Sequence, residues 1–338
     1  MPRVSIIILN WNGLRYLSGC LSSIEKQSFR DFEVIFLDNG SHDGSVEFVQ
    51  THFNWVTLIT VPENLGFAAG HSVALVHASG EFIVTINNDT CAEPGWLEEL
   101  VFVADSCPKA GMVASRTCVY DDTDLIDTLG GRACIDGMSR GAFRMKRASG
   151  LGLSRVEAGL YPSPAAALYR KSMIDEVGFF DDDFFAYAED TDLGLRGRWA
   201  GWDCVIATEA VVHHYYSGTG GAFTPYKLYF CERNHFWVAV KNFPLPLLMM
   251  LPLTTMARYV VQALAVLKGA GSGAEFRASG SQLEVVKALV RAVFDAAAGV
   301  PRMWKKRQGI MRTAKISSRD MSLLLKRFRL GFRELLDW

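Results

Sequence analysis

Short apolar runs in this chain end, four times over, in amides and carboxylates. Asn10 and Asn12 follow Val4 to Leu9, Asp38 and Asn39 follow Phe32 to Leu37, Asn64 follows Val56 to Val61, and Asn87, Asn88 and Asp89 follow Phe82 to Ile86. Oxygen-bearing side chains are what a hard divalent cation such as Mg2+ or Mn2+ takes as ligands. One carboxylate, Asp89, would hold such an ion weakly, so phosphate oxygens of a substrate would have to complete its shell; a simple capping turn is the plain alternative. A carboxylate at a strand end, as Asp38 is, costs desolvation unless a partner arrives, and the donors of a base or a ribose would serve. Ser41 and Asp43 are explained equally well as caps for the next helix. The small residues of Asn64-Leu65-Gly66-Phe67-Ala68-Ala69-Gly70-His71 would let a backbone approach a ligand closely, or would simply pack a glycine turn under a sheet.

Two further constellations lie downstream. In Glu189-Asp190-Thr191-Asp192-Leu193-Gly194-Leu195-Arg196, the spacing of Asp192 and Arg196 predicts a helical ion pair, which leaves Glu189 and Asp190 unexplained. Acids this close repel one another unless a cation or a proton offsets them, so a general base fits there. The run Val211-Val212 ends in His213 and His214, followed by Tyr215-Tyr216-Ser217-Gly218. A strand-end histidine pair is a candidate for packing or for metal ligation.

The elements that must position these residues follow from the same pattern. Strands alternating with helical segments imply βαβ units and a mostly parallel sheet, which binds ligands beyond the carboxyl ends of its strands. The alternation weakens after Pro94, and Arg116 to Gly159 reads as loops or a small antiparallel excursion. A helix is expected over Glu189 to Trp199. With 338 residues, 49% hydrophobic, the chain can bury a large core and is not disordered. Seven scattered cysteines without a CxxC pair argue against a disulfide framework or a zinc site and suit a reducing compartment.

The net charge of -1 conceals an asymmetry: Met256 to Trp338 carries 16 Lys and Arg against 6 Asp and Glu, and the rest 19 against 30. Pro244 to Leu267 is nearly all apolar, though Pro246, Pro252 and Arg258 speak against a membrane span. Gln282 to Val300 has helical apolar spacing, and Arg302 to Arg319 holds seven basic residues and no acidic one. Trp304 and Phe328 among these cations suggest helices lying in a lipid interface, with Lys305-Lys306-Arg307 drawn to anionic headgroups. A soluble helical bundle or an oligomerisation element is the alternative.

Taken in order, Asn10-Trp11-Asn12-Gly13, Asp38-Asn39-Gly40-Ser41, Asn64-Leu65-Gly66-Phe67, Asn87-Asn88-Asp89-Thr90, Glu189-Asp190-Thr191-Asp192 and His213 resemble the family-2 glycosyltransferases, especially their rhamnosyltransferase-like branch. The resemblance covers roughly residues 3 to 240. It implies an α/β GT-A fold for a catalytic domain at 1–243, while the apolar and basic pattern of 244–338 is read as a helical, basic, membrane-associated C-terminal extension. It also implies an inverting transfer of a sugar, rhamnose or another, from a nucleoside diphosphate to a hydroxyl of a glycan or lipid-linked acceptor. Asn10, Asn12, Asp38, Asn64, Gly66, Phe67, Asn87 and Asn88 would then serve the donor, Asp89 and His213 a divalent metal, with His214 as the alternative, and Asp190 the base, with Glu189 beside it. Asn87 departs from the aspartate common at that place in the family's DxD element, which puts more weight on Asp89. The implied setting is cytoplasmic, peripheral on the inner face of the membrane, with no nucleic-acid partner. Two rival readings are a sugar-nucleotide nucleotidyltransferase, which would want a basic Gly-rich loop after the first strand, and a scaffold of the same fold without catalysis.

Overall fold

A computed structural model describes residues 1–215, 224–267 and 282–336. Tyr216, Ser217 and Gly218, the end of the histidine motif, lie outside the described residues. The chain divides into two compact units, one of Met1–Gly131, Gly141–Gly197 and Trp202–Thr219, the other of Arg132–Arg140, Arg198–Gly201 and Gly220–Trp338.

In the first unit, β1 (Val4–Asn10), α1 (Leu14–Glu25), β2 (Phe32–Asn39), α2 (Ser45–His52), β3 (Thr57–Val61), α3 (Gly66–Leu75) and β4 (Phe82–Asn87) follow one another. The strands coincide with the four apolar runs, and β1 shows why these runs are continuous. Val4, Ile6 and Ile8 join one apolar cluster with Leu17, Leu21 and Trp96, while Ile7 joins another with Ala68, Tyr169 and Met173. A strand covered on both faces has no side left for polar residues.

Next come β5 (Thr90–Ala92), α4 (Trp96–Ser106), β6 (Ala110–Val119), β7 (Asp122–Leu129), β8 (Gly131–Ala133), β9 (Ser139–Gly141), β10 (Val156–Gly159), β11 (Ala166–Arg170), α5 (Lys171–Val177), α6 (Glu189–Trp199) and β12 (Asp203–His214). The main sheet runs β10-β12-β6-β11-β4-β1-β2-β3, with β5 on β12 and β7 on β6; β8 and β9 pair separately. It is parallel through β4-β1-β2-β3 and mixed beyond, because β11 lies antiparallel between β4 and β6. Strand β1 has β4 on one side and β2 on the other. This reversal of strand order opens a crevice at their carboxyl ends, where Asn10 stands opposite Asp38 and Leu9 opposite Asn87.

The second unit contains α7 (Pro225–Asn242), α8 (Leu245–Met249), α9 (Leu251–Leu267), α10 (Gln282–Thr313) and α11 (Ser318–Arg327). It begins ahead of residue 243, the boundary expected from the sequence, because α7 buries Trp237 against α10: a Cβ on Gly299 would lie 2.6 Å from the indole, whose Nε1 donates to Ala296 O at 3.1 Å. Helix α10 continues past Pro301, joining the apolar and basic segments that read as separate in the sequence. No helix among the described residues is long and apolar enough to cross a membrane.

Arg258, within apolar α9, is wholly buried. Its Nε donates to Asp136 Oδ2 at 2.5 Å, and its two terminal nitrogens grip both oxygens of Glu232 at 2.8 Å each. Burial alone would raise the Glu232 carboxyl, but Arg258 outweighs it and holds the group down at about 2. That contribution is complete above the ordinary glutamate range near 4 and is lost as pH falls toward 2. Arg258→Met leaves two buried carboxylates uncompensated, so it is expected to cost about 3 to 5 kcal/mol, read from the urea midpoint at neutral pH.

Candidate active site

The strand ends at the crevice are tied together by amides. Asn10 Nδ2 donates to Asp38 Oδ2 at 2.9 Å and to Ser41 Oγ at 3.1 Å, while Asn10 Oδ1 accepts from Asn88 Nδ2 at 2.6 Å. The other Asp38 oxygen accepts the Ser41 amide at 2.9 Å. Asn10 and Asp38 are buried, so the partner that Asp38 required comes from the chain itself. The two residues brace the crevice floor. Asn88 reaches Asn10 only because residue 13 is glycine: a Cβ there would stand 2.0 Å from Asn88 Nδ2. Asn12 is exposed, with φ of 50°, and its Oδ1 accepts the His42 amide. Asn87 is half-buried at the end of β4.

Ser41 caps nothing; its hydroxyl accepts the Asn12 amide at 2.9 Å. Asp43 does satisfy helix amides, and those of two helices: Leu14 N at the start of α1 at 2.9 Å, and Ser45 N at the start of α2 at 3.1 Å. Asn39, which the sequence left without a role, holds the next turn. Its Nδ2 donates to Asn64 Oδ1 at 3.0 Å and its Oδ1 accepts Leu65 N at 3.0 Å.

Phe67 is half-buried and packs against the second apolar cluster, its ring 4.2 Å from that of His71 and 5.7 Å from that of Phe180. Gly66 has a different importance. It holds φ of 84°, and a Cβ there would come 2.6 Å from Phe185, whose carbonyl accepts the Ala68 amide at 3.1 Å. The amino end of α3 is thus latched to the loop that precedes the acid motif. Gly66→Ala adds both a left-handed alanine and this clash, and is expected to destabilise the first unit by about 1 to 3 kcal/mol in denaturant melts.

In that loop Phe185, Tyr187 and Ala188 all have positive φ, at 64°, 69° and 66°. Such conformations cost about 1 to 3 kcal/mol each and persist where the surroundings dictate them. The Asp192–Arg196 pair ties α6 to the segment that follows α5. Arg196 Nε donates to buried Asp192 at 2.8 Å, and its other nitrogens grip the carbonyls of Val177, Gly178 and Phe179. Asp192 therefore pairs as its spacing predicts, and Glu189 and Asp190 remain for chemistry.

Glu189 is buried and its Oε2 has no hydrogen-bond partner. Burial, then the neighbouring Asp190, push its carboxyl well above the ordinary range. Burial also raises Asp190, to about 6, against two bonds that favour its charge: Thr191 N at 2.6 Å and Thr191 Oγ1 at 3.2 Å, both to Oδ1. Two neighbouring carboxyls do not both ionise readily. Glu189, the more deeply buried, holds its proton more firmly than Asp190.

Asp89 is buried, and the histidine beside it is His214, not His213. His214 Nε2 lies 3.3 Å from Asp89 Oδ1 and His214 Nδ1 lies 2.8 Å from Asp127 Oδ2, with Arg144 pairing to Asp127 behind. Burial opposes charge on this imidazole, but its bonds to Asp127 and Asp89 outweigh it and hold the group at about 9. His213 turns away, its Nε2 2.6 Å from Glu93 Oε1. No group of three or more His, Cys, Asp or Glu among the described residues is arranged to hold a metal ion. Asp89 and His214 alone nevertheless fit one that brings other ligands with it, since a metal can take the proton's place between them while Asp127 orients the ring. Sequence reasoning missed Asp127 and Arg144, which have no local signature. It also passed over Tyr215, whose amide donates to Asp89 O and whose ring stacks on Tyr120 at 3.6 Å.

The sequence model described as "Glycosyl transferase family 2" matches residues 5–178. The chain belongs to this family. Among curated relatives, the N-acetylglucosaminyl-diphospho-decaprenol L-rhamnosyltransferase of Mycobacterium tuberculosis is 28% identical over 240 residues, covering 64% of this chain and 77% of that one. Among solved structures, a mannosyltransferase from Pyrobaculum calidifontis, in complex with GDP-Man and Mn2+, superposes with a TM-score of 0.54 at 19% identity over 95% of this chain and 87% of that one. GalNAc-T7 with UDP, GalNAc and Mn2+ gives 0.58 at 14% identity over 71% and 48%. These likenesses establish the GT-A fold, and with the family they make the protein a glycosyltransferase that uses a nucleotide-sugar donor.

Proposed function

We propose that this glycosyltransferase moves a hexose, rhamnose foremost, with inversion, from a nucleoside diphosphate to a hydroxyl of a lipid-linked glycan. The observation that carries the reading is the acid pair at the start of α6, Glu189 buried and Asp190 half-buried beside it. Asp190 takes the proton of the acceptor hydroxyl as its oxygen bonds to the anomeric carbon; the bond from that carbon to the diphosphate oxygen breaks on the opposite face, and the electron pair leaves with the nucleotide. Protonated Glu189 keeps the pocket from gathering two charges before the acceptor arrives. A divalent cation, when bound, offsets the charge of the departing diphosphate. Asp89 and His214 would hold it, backed by Asp127. Asn12, Asn64 and Asn87 remain the proposed donor contacts, over the floor built by Asn10, Asp38 and Asn88.

The choice of acceptor leans on the tuberculosis relative, whose name specifies a sugar on a prenyl diphosphate. It leans also on the second unit, where Leu253, Met256, Val260, Leu264 and Leu267 stand exposed along α9, at spacings that place them on one face opposite buried Arg258. An apolar stripe followed in the chain by a basic helix suits the interface of an anionic membrane, and makes the 244–338 region a peripheral membrane element in this reading.

The test is a thermal-shift screen of nucleotide sugars followed by transfer to a prenyl-diphosphate-linked N-acetylglucosamine. A donor at a hundred times its dissociation constant stabilises the fold by about 2.7 kcal/mol. If no nucleotide sugar shifts the transition and no product forms with Mn2+ present, the scaffold reading takes over.

A further inference from the structure

Helix α10 has two apolar faces. Ala292, Ala296, Gly299 and Met303 make the buried one, where Gly299 meets Trp237 of α7. Roughly 100° around the helix axis, Leu283, Val286, Val290, Val293, Ala297, Val300 and Trp304 stand exposed. Their steps are three and four residues in strict alternation, an unbroken seam of three heptads about 32 Å long. None of the seven is charged.

The spacing gives the shape of the neighbour this seam fits. A repeat of 3.5 residues drifts about 20° per heptad around a straight helix, so the seam winds away from any flat surface. A second helix crossing at about 20° follows the winding. The composition adds a match of shape. Phe294, beside the seam, is 71% exposed, and Ala297, one turn on, is the one small residue within it. Two such helices laid antiparallel about a two-fold axis between positions 295 and 296 bring each ring over the alanine of the other copy. Val290 then faces Val300, and Val286 faces Trp304, whereas parallel helices would set ring against ring and alanine against alanine. With Phe294, the seam leaves roughly 600 Å² of apolar surface open on each copy, the upper end of what a monomer ordinarily exposes. Two copies together reach about 1,200 Å², where specific interfaces begin.

We propose that this seam pairs with the same seam of a second copy of the chain, as an antiparallel two-helix coiled coil. Trp304 then belongs to the interface between copies, and the membrane is left to the stripe on α9 and to cations on other sides of α10 such as Arg291 and Lys305. The pairing is independent of which sugar the enzyme moves.

The test is sedimentation equilibrium of the full chain without lipid, which should show a dimer with a dissociation constant on the order of micromolar. Val290→Gln combined with Val293→Gln should weaken the dimer ten-fold or more; both positions are exposed, so the urea midpoint should match that of the parent. Val260→Gln combined with Leu264→Gln, on the stripe of α9, should leave the dimer within two-fold and lower binding to vesicles of phosphatidylcholine and phosphatidylglycerol. Phe294→Ala and Ala297→Phe should each weaken the dimer, and the two together should recover much of the loss, because a two-fold axis lets ring and alanine exchange places. A parent that sediments as a monomer throughout the micromolar range overturns the proposal, as does a dimer that survives the α10 pair. Loss of vesicle binding in the α10 pair but not in the α9 pair would make the seam a lipid face and overturn it too. A Phe294–Ala297 exchange weaker than both single variants would overturn the antiparallel arrangement.

Discussion

Replacing Asp190 by asparagine is expected to lower turnover about 10²- to 10⁴-fold, the usual span of a positioned general base, with little change in donor affinity. The residue owes this to its surroundings more than to its identity. Burial raises it to about 6, close enough to neutral pH that it is ionised before the acceptor arrives yet basic enough to draw a proton. The rate of the parent should therefore climb with pH through about 6 and level off above, because only the ionised carboxylate accepts a proton. A limb that continued upward past pH 8 would point to Glu189, whose proton is held more firmly. The linkage for stability has the opposite sign. A carboxyl that is harder to ionise in the fold than in the unfolded chain costs stability as pH rises from about 4 through 6. Asp190→Asn should accordingly melt no lower than the parent at pH 8 while being nearly inactive. An equal loss of activity and stability would reduce Asp190 to a structural residue.

The second large effect is expected at the proposed metal site, where Asp89→Ala should reduce Mn2+-supported turnover by several kcal/mol of barrier, roughly 10³-fold. His214→Ala should raise the Mn2+ concentration for half-maximal rate about 10- to 100-fold, and Asp127→Asn should do so more mildly through the orientation of the ring. His213→Ala is the control, since that ring faces Glu93. Titration of activity with Mn2+ and with chelator separates these outcomes. Full activity in excess chelator would remove the metal from the mechanism and leave Asp89–His214 as a structural ion pair.

The contrast between the two histidines marks where the sequence stops being informative. Strands β1, β2 and β4 were legible because burial on both faces writes a continuous apolar run, and β3, a partly exposed edge strand, by its β-branched residues. The amides after them were legible as polar residues at a crevice, and Asp192–Arg196 as neighbours one helical turn apart. Which of His213 and His214 meets Asp89 depends on strand face, and the register of β12 against β6 shifts between Ala207 and Val211. A one-residue slip exchanges the two faces, so counting along the strand cannot decide it. The packing of Phe67 was hidden for a related reason: of its ring partners His71 and Phe180, one lies more than a hundred residues away. Asp127 and Arg144 sit in the poorly patterned stretch after Arg116, joined to the site only by long-range pairing.

Asp43 carries a consequence for how a diphosphate can sit. In dinucleotide-binding sheets the pyrophosphate rests on the positive end of the helix that follows the first strand. Here that end is spoken for: one carboxylate, held below its ordinary range against burial by its bonds to Ser45 and the Leu14 amide, accepts the opening amides of both α1 and α2. The chain thus shares the strand layout of a dinucleotide fold while neutralising the dipoles that such a fold offers to its ligand. A nucleotide entering this crevice finds those two helix ends already neutralised, which adds weight to the proposal of a soluble cation beside Asp89.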